Sequence, residues 1–423
     1  MRFSVDLETN DAPRLFDRFL QILGSEPWEK RYRILRDQLR TNPLLFDFVA
    51  RRHGIELAIG RLLEIRSATS LRLDVYAPAD YAALSFVAAV VLIYDGLTST
   101  GNTRVAGLLR DGLNTDRGLR PFQSEIATAT HLVNAGFDVT FRDLEGEPGF
   151  DFLAIRDGAE LEVECKSVSS DLGRQVHERR MADLSNRVLN GLSSGVDEVT
   201  GGHLIRITLP ARLPADHAAL ESIAASAVAA FRNTSPPTAT ACPIELRTFD
   251  MTASPFSRRQ PDDVTQDDVR QFVEEQIGLS NVHTCVRLSP GRCAIVVVVD
   301  SQKHDRVVTE LVRNLKAAAE QFSRQRPALL VVQFLDLEAD AMTELAHHDS
   351  NDPAKASALQ RATSLFLLSP ERSHILTVVY RSHGTLTIGG MGIQEQGPTY
   401  RFTNSAHPKA ADPKYLPFAM RST

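Results

Sequence analysis

The chain lacks the features that mark several classes of protein. Its four cysteines form no Cys-x-x-Cys pair, so the sequence predicts neither a zinc site nor a disulfide framework. The longest apolar stretch, residues 82–94, is interrupted by Ser85 and is too short to cross a bilayer, which predicts a buried helix. Acidic residues stand near the N-terminus, where a signal peptide needs an apolar core. We therefore expect a cytoplasmic protein with no membrane partner.

An excess of positive charge is missing as well. The formal net charge is −6, so any nucleic-acid binding must use a local cationic groove and not the global field of the protein. Lysine is scarce, with seven among the 47 basic residues, and a lysine at a chemically suggestive position therefore carries more weight. The sequence contains no helix-turn-helix, zinc-finger or Walker motif, which leaves the selection of a target unassigned.

At 423 residues the chain is too long for one ordinary core, and its pattern changes along its length. Apolar residues recur every three or four positions through most of residues 1–116, which predicts a helical N-terminal region. Residues 117–210 then show a helix, three strands, a helix at 172–192 and a strand at 203–209. Strands and helices alternate again over 211–423, either as an extension of the same sheet or as a second domain. The predicted fold class is α/β.

Two short apolar runs in the middle region carry the most informative charges. The first begins Phe-Asp151-Phe-Leu, and the second reads Leu-Glu162-Val-Glu164-Cys-Lys166. Side chains alternate between the two faces of a strand, so Glu162, Glu164 and Lys166 share one face. An Asp-Gly turn between the runs predicts a hairpin that brings Asp151 to the same end. Two carboxylates beside an ammonium group can hold a divalent metal and orient a water, as phosphodiester hydrolysis requires.

The order of these elements and residues resembles the PD-(D/E)XK nuclease superfamily, whose core has the order αβββαβ. The resemblance covers about residues 117–210, a quarter of the chain. The family places an acid on the first helix, an aspartate at the start of the second strand, and Glu-x-Lys on the third. The residues in these slots here are Glu125, Asp151, Glu164 and Lys166. The resemblance implies a restriction-endonuclease-like core between the helical N-terminal region and a C-terminal α/β extension.

The resemblance also implies a chemistry for this site. Asp151, Glu164 and the backbone carbonyl of Cys165 would hold Mg²⁺, for which Mn²⁺ can substitute. Lys166 would orient or deprotonate the attacking water, and Glu125 would complete the shell through water or help hold a second metal. The expected function is metal-dependent hydrolysis of nucleic acid, DNA in preference to RNA, in defence or repair.

The helix predicted after the Glu-x-Lys strand supplies three candidates for contacts with nucleic acid: Arg174, Gln175 and Arg180. Gln175 falls where some members of the family place an auxiliary polar residue. The alternative interpretation of this helix is a solvated face of mixed charge.

Each candidate also has a purely structural interpretation. Glu164 and Lys166 could form an ion pair on a solvated strand face. Asp151 could begin its strand as a turn residue, and the helix dipole alone could favour Glu125. The alternative function is a catalytically inactive protein that keeps the fold as a scaffold for nucleic acid or a protein partner. The sequence also leaves open a homo-oligomer.

Overall fold

A computed structural model describes residues 11–68, 78–169, 171–193, 199–234, 242–257, 264–279, 282–289, 291–337, 339–351, 355–382, 385–389 and 392–415. The helices of these ranges are α1 (Ala12–Leu23), α2 (Glu26–Thr41), α3 (Phe46–Ala68), α4 (Pro78–Gly96), α5 (Ser99–Asn114), α6 (Arg120–Asn134), α7 (Glu178–Ser193), α8 (His217–Phe231), α9 (Gln266–Ile277), α10 (Val307–Ala319), α11 (Ala339–Asn351) and α12 (Ala358–Leu367). The strands are β1 (Asp138–Phe141), β2 (Phe152–Arg156), β3 (Ala159–Val168), β4 (Gly201–Leu209), β5 (Ile244–Phe249), β6 (His283–Ser289), β7 (Cys293–Ser301), β8 (Ala328–Phe334), β9 (Ile375–Arg381), β10 (Thr385–Gly389), β11 (Gly392–Gln396) and β12 (Thr399–Thr403). The protein is mixed α/β, as predicted.

The chain divides into two compact units. Unit 1 combines the described residues of Met1–Asp37, Val49–Leu172 and Val307–Thr423. Unit 2 combines those of Gln38–Phe48 and Gly173–Arg306. Each unit has its own sheet and its own apolar clusters.

Unit 1 is built on a six-stranded mixed sheet with the order β1-β2-β3-β8-β9-β12. The strands β1, β2 and β3 form an antiparallel meander, and β8 and β9 continue the sheet parallel to β3. The turn between β2 and β3 contains Asp157 and Gly158, both with positive φ, at 51° and 75°. Positive φ at both central residues is what a type I′ hairpin turn requires, so the predicted hairpin is confirmed.

Alternation places the two faces of this sheet in different cores. Val163 and Cys165 of β3 join Val331 of β8 and Ile126 of α6 in one apolar cluster, which also contains the inner faces of α1, α3, α4 and α5. Residues 11–68 and 78–116 of the predicted N-terminal region are therefore confirmed as mainly helical, whereas the rest of that region lies outside the described residues. These helices share a core with the sheet and do not form a separate compact unit. The opposite face carries Leu330, which packs in a second cluster with α10, α11 and α12.

The strand that follows β3 in the sheet corrects the sequence analysis. The predicted strand at 203–209 forms as β4, and the helix predicted at 172–192 forms as α7 but begins only at Glu178. However, β4 pairs with β5 and β7 in unit 2. The parallel neighbour of β3 is β8, which α10 precedes. Residues 117–210 therefore do not make one continuous core. Local periodicity predicts that a strand forms, whereas its partner is decided by contacts between distant parts of the chain.

Unit 2 contains a four-stranded sheet with the order β5-β4-β7-β6. Helices α7 and α8 cover one face of this sheet and α9 covers the other. The first and last residues of the main segment of unit 2 lie side by side, because the Arg306 N–H donates to the Gly173 carbonyl at 2.8 Å. The region after residue 210 thus does both things that the sequence left open: β8, β9 and β12 extend the first sheet, and β5 to β7 belong to the second.

One helix, α4, is long and apolar enough to cross a membrane by length and composition. Its window Ala79–Gly96 has a mean hydropathy of 1.4, and 61% of that window is buried inside the protein. The helix packs against α1, α5 and α6. This burial accounts for its composition as that of a core helix, in agreement with the buried helix predicted for residues 82–94.

Leu330 tests the placement of β8 in the core of unit 1. Its side chain is fully buried in the cluster against α10. Leu330→Ala removes packed methyl groups and leaves a cavity, so it should lower the free energy of unfolding by about 2–5 kcal/mol. Leu365 on α12, which is 72% exposed, gives the matched control, and Leu365→Ala should change it by no more than about 0.5 kcal/mol. Urea unfolding measures both, and equal effects would contradict this placement of β8.

Candidate active site

The Glu-x-Lys pair lies on β3 as the alternation predicts. Lys166 Nζ forms an ion pair with Glu164 Oε1. The Glu164 side chain is completely buried, whereas the Lys166 side chain keeps 32% of its surface exposed. A buried carboxylate is stable only with partners, and Lys166 supplies the first of them. The ion pair is therefore partly buried, and it is not a solvated pair on an exposed strand face.

Asp151 stands immediately before β2 and faces β3. Its Oδ2 accepts a hydrogen bond from the Cys165 backbone N–H at 2.6 Å, and its carbonyl accepts one from the Arg142 N–H at 2.9 Å. The N–H and C=O of one strand residue point to the same side of the strand, so the Cys165 carbonyl also faces Asp151. The hairpin thus brings Asp151 beside Glu164, as expected, and the backbone of Cys165 lies between them.

Glu125 on α6 reaches the same group of charges. Burial, and then the negative charges of Asp151 and Asp143, hold the pKa of the Glu125 carboxyl well above its usual range. Glu164 raises this pKa further and Lys166 lowers it. The Glu125 carboxyl thus interacts electrostatically with Asp151, Glu164 and Lys166, the other three residues that the resemblance singled out.

Asp143 is a member of the group that the sequence analysis missed. It follows β1 on the connection to β2, where Arg104 Nη1 donates to its carbonyl and its own Oδ1 accepts from the Leu144 N–H at 2.6 Å. Burial raises the pKa of its carboxyl, and its charge raises the pKa of Asp151. The connection contains several acids, and nothing in their spacing distinguishes Asp143.

If all the carboxyl groups of the site were ionised, their negative charge would exceed the positive charge of Lys166. Burial and the Glu164 charge raise the pKa of Asp151 to about 8, and burial raises that of Glu164 although Lys166 opposes it. Burial alone would lower the pKa of the Lys166 ammonium, but the Glu164 carboxylate outweighs it and raises this pKa. Raised carboxyl pKa values mean that the ionised forms lack sufficient positive charge around them. A cation bound here would supply it.

Gln321 is the second residue that the sequence analysis missed. It lies on the connection between α10 and β8, and its amide is oriented with the nitrogen toward Glu164, which satisfies both ends of the group. Nε2 then donates to Glu164 Oε1 at 2.7 Å and to Oε2 at 3.1 Å, while Oε1 accepts from Lys166 Nζ at 3.0 Å. The sequence does not point to Gln321, because its pattern predicts the core helix after β3 at residues 172–192 and not at α10.

Glu162, on the same face of β3, has a structural role. Its side chain is completely buried and accepts from Ser323 N–H at 2.8 Å, from the Ser323 hydroxyl, and from Arg326 Nη1 at 3.2 Å. These donors belong to the connection that carries Gln321. Glu162 is therefore a buried structural residue and not a solvated one.

The three nucleic-acid candidates lie in unit 2, not on the helix that follows β3 in the sheet of unit 1. Arg174 lies 3.8 Å from Asp305, and Gln175 Nε2 donates to the His304 carbonyl at 3.1 Å. Arg180 donates to a backbone carbonyl of the same unit. Gln175 lies before α7 and not on α10, and its auxiliary role, like a contact of these three residues with nucleic acid, stays a prediction.

The donors fit a hard divalent cation by chemistry, although the side chains have other partners in this structure. Within the described ranges, no three His, Cys, Asp or Glu side chains are arranged as a ready metal site. The reason is visible at two of the residues: Glu164 is paired with Lys166, and Asp151 is bonded to Cys165. Carboxylate and carbonyl oxygens are nonetheless the ligands that Mg²⁺ and Mn²⁺ prefer, and the excess charge favours a cation.

Comparisons of this chain with protein-family models, with curated proteins and with solved structures found no match.

The raised pKa of Asp151 predicts how stability depends on pH without metal. With a pKa of about 8 against an ordinary value of 3.8, the folded protein keeps a proton that the unfolded chain releases between those values. The protonated carboxyl thus contributes stability that is fully present below about pH 4 and is lost as the pH rises to about 8. Asp151→Asn removes this titration, so its free energy of unfolding should fall less than that of the parent between about pH 5 and pH 8.

The measurement is urea unfolding in EDTA at several pH values. Asp157→Asn, at an aspartate whose side chain is 79% exposed, is the matched control and should follow the parent at every pH. A parent and an Asp151→Asn variant with the same pH dependence would contradict the burial of this carboxyl.

Proposed function

We propose that this protein is a metal-dependent nuclease that hydrolyses phosphodiester bonds in nucleic acid, with DNA as the preferred substrate. The observation that carries the proposal is the convergence of Asp151, Glu164 and Lys166 where β2 and β3 adjoin, with Glu125 beside them. An acid, a second acid and a lysine in this relation are the groups that such hydrolysis uses. A role in defence or repair, in the cytoplasm, follows from the same proposal.

The order of elements in unit 1 supports the proposal. The helix α6, the meander β1-β2-β3, the helix α10 and the strand β8 follow one another in the order αβββαβ, and β8 is parallel to β3. We infer that these six elements, with the main segment of unit 2 inserted between β3 and α10, are the PD-(D/E)XK-like core. The insertion lies in a connection, where a fold tolerates additional chain.

In the proposed site Asp151, Glu164 and the Cys165 carbonyl hold Mg²⁺ or Mn²⁺. When bound, the cation neutralises charge on the phosphate and lowers the pKa of a coordinated water. Glu125 and Asp143 would add negative potential when they are ionised, and this potential favours a cation. These carboxylates bind and orient, and they take no covalent part in the reaction.

Lys166 is proposed to donate hydrogen bonds to the attacking water or to a phosphate oxygen. Although burial lowers the pKa of the Lys166 ammonium, the Glu164 carboxylate raises it overall in the metal-free protein, so the protonated amine can donate such hydrogen bonds. The partial exposure of its side chain leaves it accessible to substrate from the solvent side. Of the two roles that the sequence left open, orienting and deprotonating the water, we propose that Lys166 orients it.

One observation favours the scaffold alternative. Glu164 is already bonded by Lys166 and by the Gln321 amide, so a protein that never binds metal could keep this arrangement as it is. The two functions differ in what they predict for the same pair of variants. Metal binding and cleavage, measured separately, therefore decide between them.

Asp151→Asn and Lys166→Ala should separate metal binding from catalysis. Asp151→Asn removes a ligand charge, so Mn²⁺ affinity and activity should both fall. Lys166→Ala removes a competitor for Glu164, so Mn²⁺ affinity should stay equal or rise slightly while the cleavage rate falls by about 10²–10⁴-fold. Calorimetric Mn²⁺ titration and cleavage of plasmid, linear and single-stranded substrates measure the two effects.

Controls of the same residue type are available on the surface. Asp157→Asn and Lys316→Ala, at an exposed lysine of α10, should bind and cleave like the parent. A parent that neither binds divalent metal nor cuts any substrate, or a Lys166→Ala variant that cuts like the parent, would favour the scaffold.

A further inference from the structure

The side chain of Gln321 contacts both Glu164 and Lys166. Its amide nitrogen is within hydrogen-bond distance of both oxygens of Glu164, and its amide oxygen is 3.0 Å from Lys166 Nζ. Only a group with a donor and an acceptor at its tip can satisfy both neighbours at once. A carboxylate at this position would repel Glu164, and an ammonium would repel Lys166. Gln321 itself is exposed, so this contact lies on the solvent side of the ion pair.

The connection that carries Gln321 is held in place from two sides. On one side, the completely buried Glu162 binds Ser323 and Arg326, two and five residues farther along the chain. On the other, the Gln321 carbonyl faces Gly149, where a side-chain carbon would lie 3.2 Å from the carbonyl oxygen and where φ is +116°. The loop that leads to Asp151 therefore packs closely against the backbone of Gln321. Such support is typical of a residue whose position matters.

Without this contact, the ammonium of Lys166 would have several competing partners. The carboxylates of Glu125, Asp143 and Asp151 all interact with the Lys166 charge, as does Glu164. The lysine side chain is flexible, so its ammonium needs a further partner to fix it beside Glu164. The Gln321 oxygen is such a partner, because it accepts from Nζ on the side of Glu164.

We propose that Gln321 is a positioning residue that holds the Lys166 ammonium against Glu164 and thereby sets where Lys166 meets water or phosphate. The catalytic part of this proposal rests on the proposed nuclease function, whereas the contact itself does not. The residue deepens the Glu-x-Lys site with a group from the connection between α10 and β8. It acts through Lys166 and touches no reacting atom.

The test compares Gln321→Met and Gln321→Glu with Gln325→Met. Methionine keeps the length of the side chain without its hydrogen bonds, and glutamate keeps an acceptor for Lys166 but has no donor for Glu164. Gln325 is an exposed glutamine on the same connection and is the matched control. Both positions are exposed, so the three variants should fold.

The first measurement is acylation of Lys166 in metal-free protein, followed by mass spectrometry with exposed Lys316 as internal reference. Gln321→Met should increase the rate at Lys166 by about tenfold, the factor expected when a charged group loses a hydrogen bond. Gln321→Glu should keep the rate near or below that of the parent, because Lys166 retains an acceptor. Gln325→Met should leave it unchanged.

The second measurement is cleavage kinetics with calorimetric Mn²⁺ binding. Gln321→Met should lower kcat by about 10²-fold through misplacement of Lys166, with little change in KM or in Mn²⁺ affinity. An unchanged labelling rate in Gln321→Met, an equal increase in Gln325→Met, or a variant with parental kcat would overturn the positioning role. Increased labelling in a parent background that cuts nothing would support the contact and overturn only the nuclease function.

Discussion

Four carboxyl groups and one ammonium group interact electrostatically near the adjoining ends of β2 and β3, and full ionisation of the carboxyl groups would leave an excess of negative charge. Ionised carboxylates are costly to bury, and each neighbour raises the cost for the next. A protein that needed only a stable sheet would place apolar residues there. The cluster supports the cation site proposed above, because strongly shifted carboxyl pKa values are concentrated at functional sites.

Backbone groups and one amide keep these charges in place. The Cys165 N–H holds Asp151, and the Gln321 amide holds Glu164. Glu162, which shares the face of β3 with the site, fixes the connection on which Gln321 stands. Three alternate residues of β3 thus have three functions. Glu162 anchors the connection, Glu164 supplies the carboxylate of the ion pair, and Lys166 supplies its ammonium. Each depends on a segment far away in the sequence.

The main segment of unit 2 lies in the chain between β3 and β8, where parallel pairing requires a long connection. A strand parallel to β3 can be reached only by a crossover, because the chain must return to the starting edge of the sheet. The helix α10 provides the last part of that crossover, and the main segment of unit 2 occupies the chain before it. The hydrogen bond between Gly173 and Arg306 brings the ends of that segment together, so the insertion leaves the pairing of β3 with β8 undisturbed.

The sequence by itself determined the local structure and the chemistry of the motif. Alternation placed Glu164 and Lys166 on one face, the Asp-Gly turn predicted the hairpin that delivers Asp151, and periodicity identified the helices of the N-terminal region. Tertiary structure alone decided that β8 and not β4 pairs with β3, and with it that Gln321 contacts the ion pair. Periods of two and 3.6 residues arise within a few turns of chain, whereas strand partners depend on contacts between segments that local pattern does not relate.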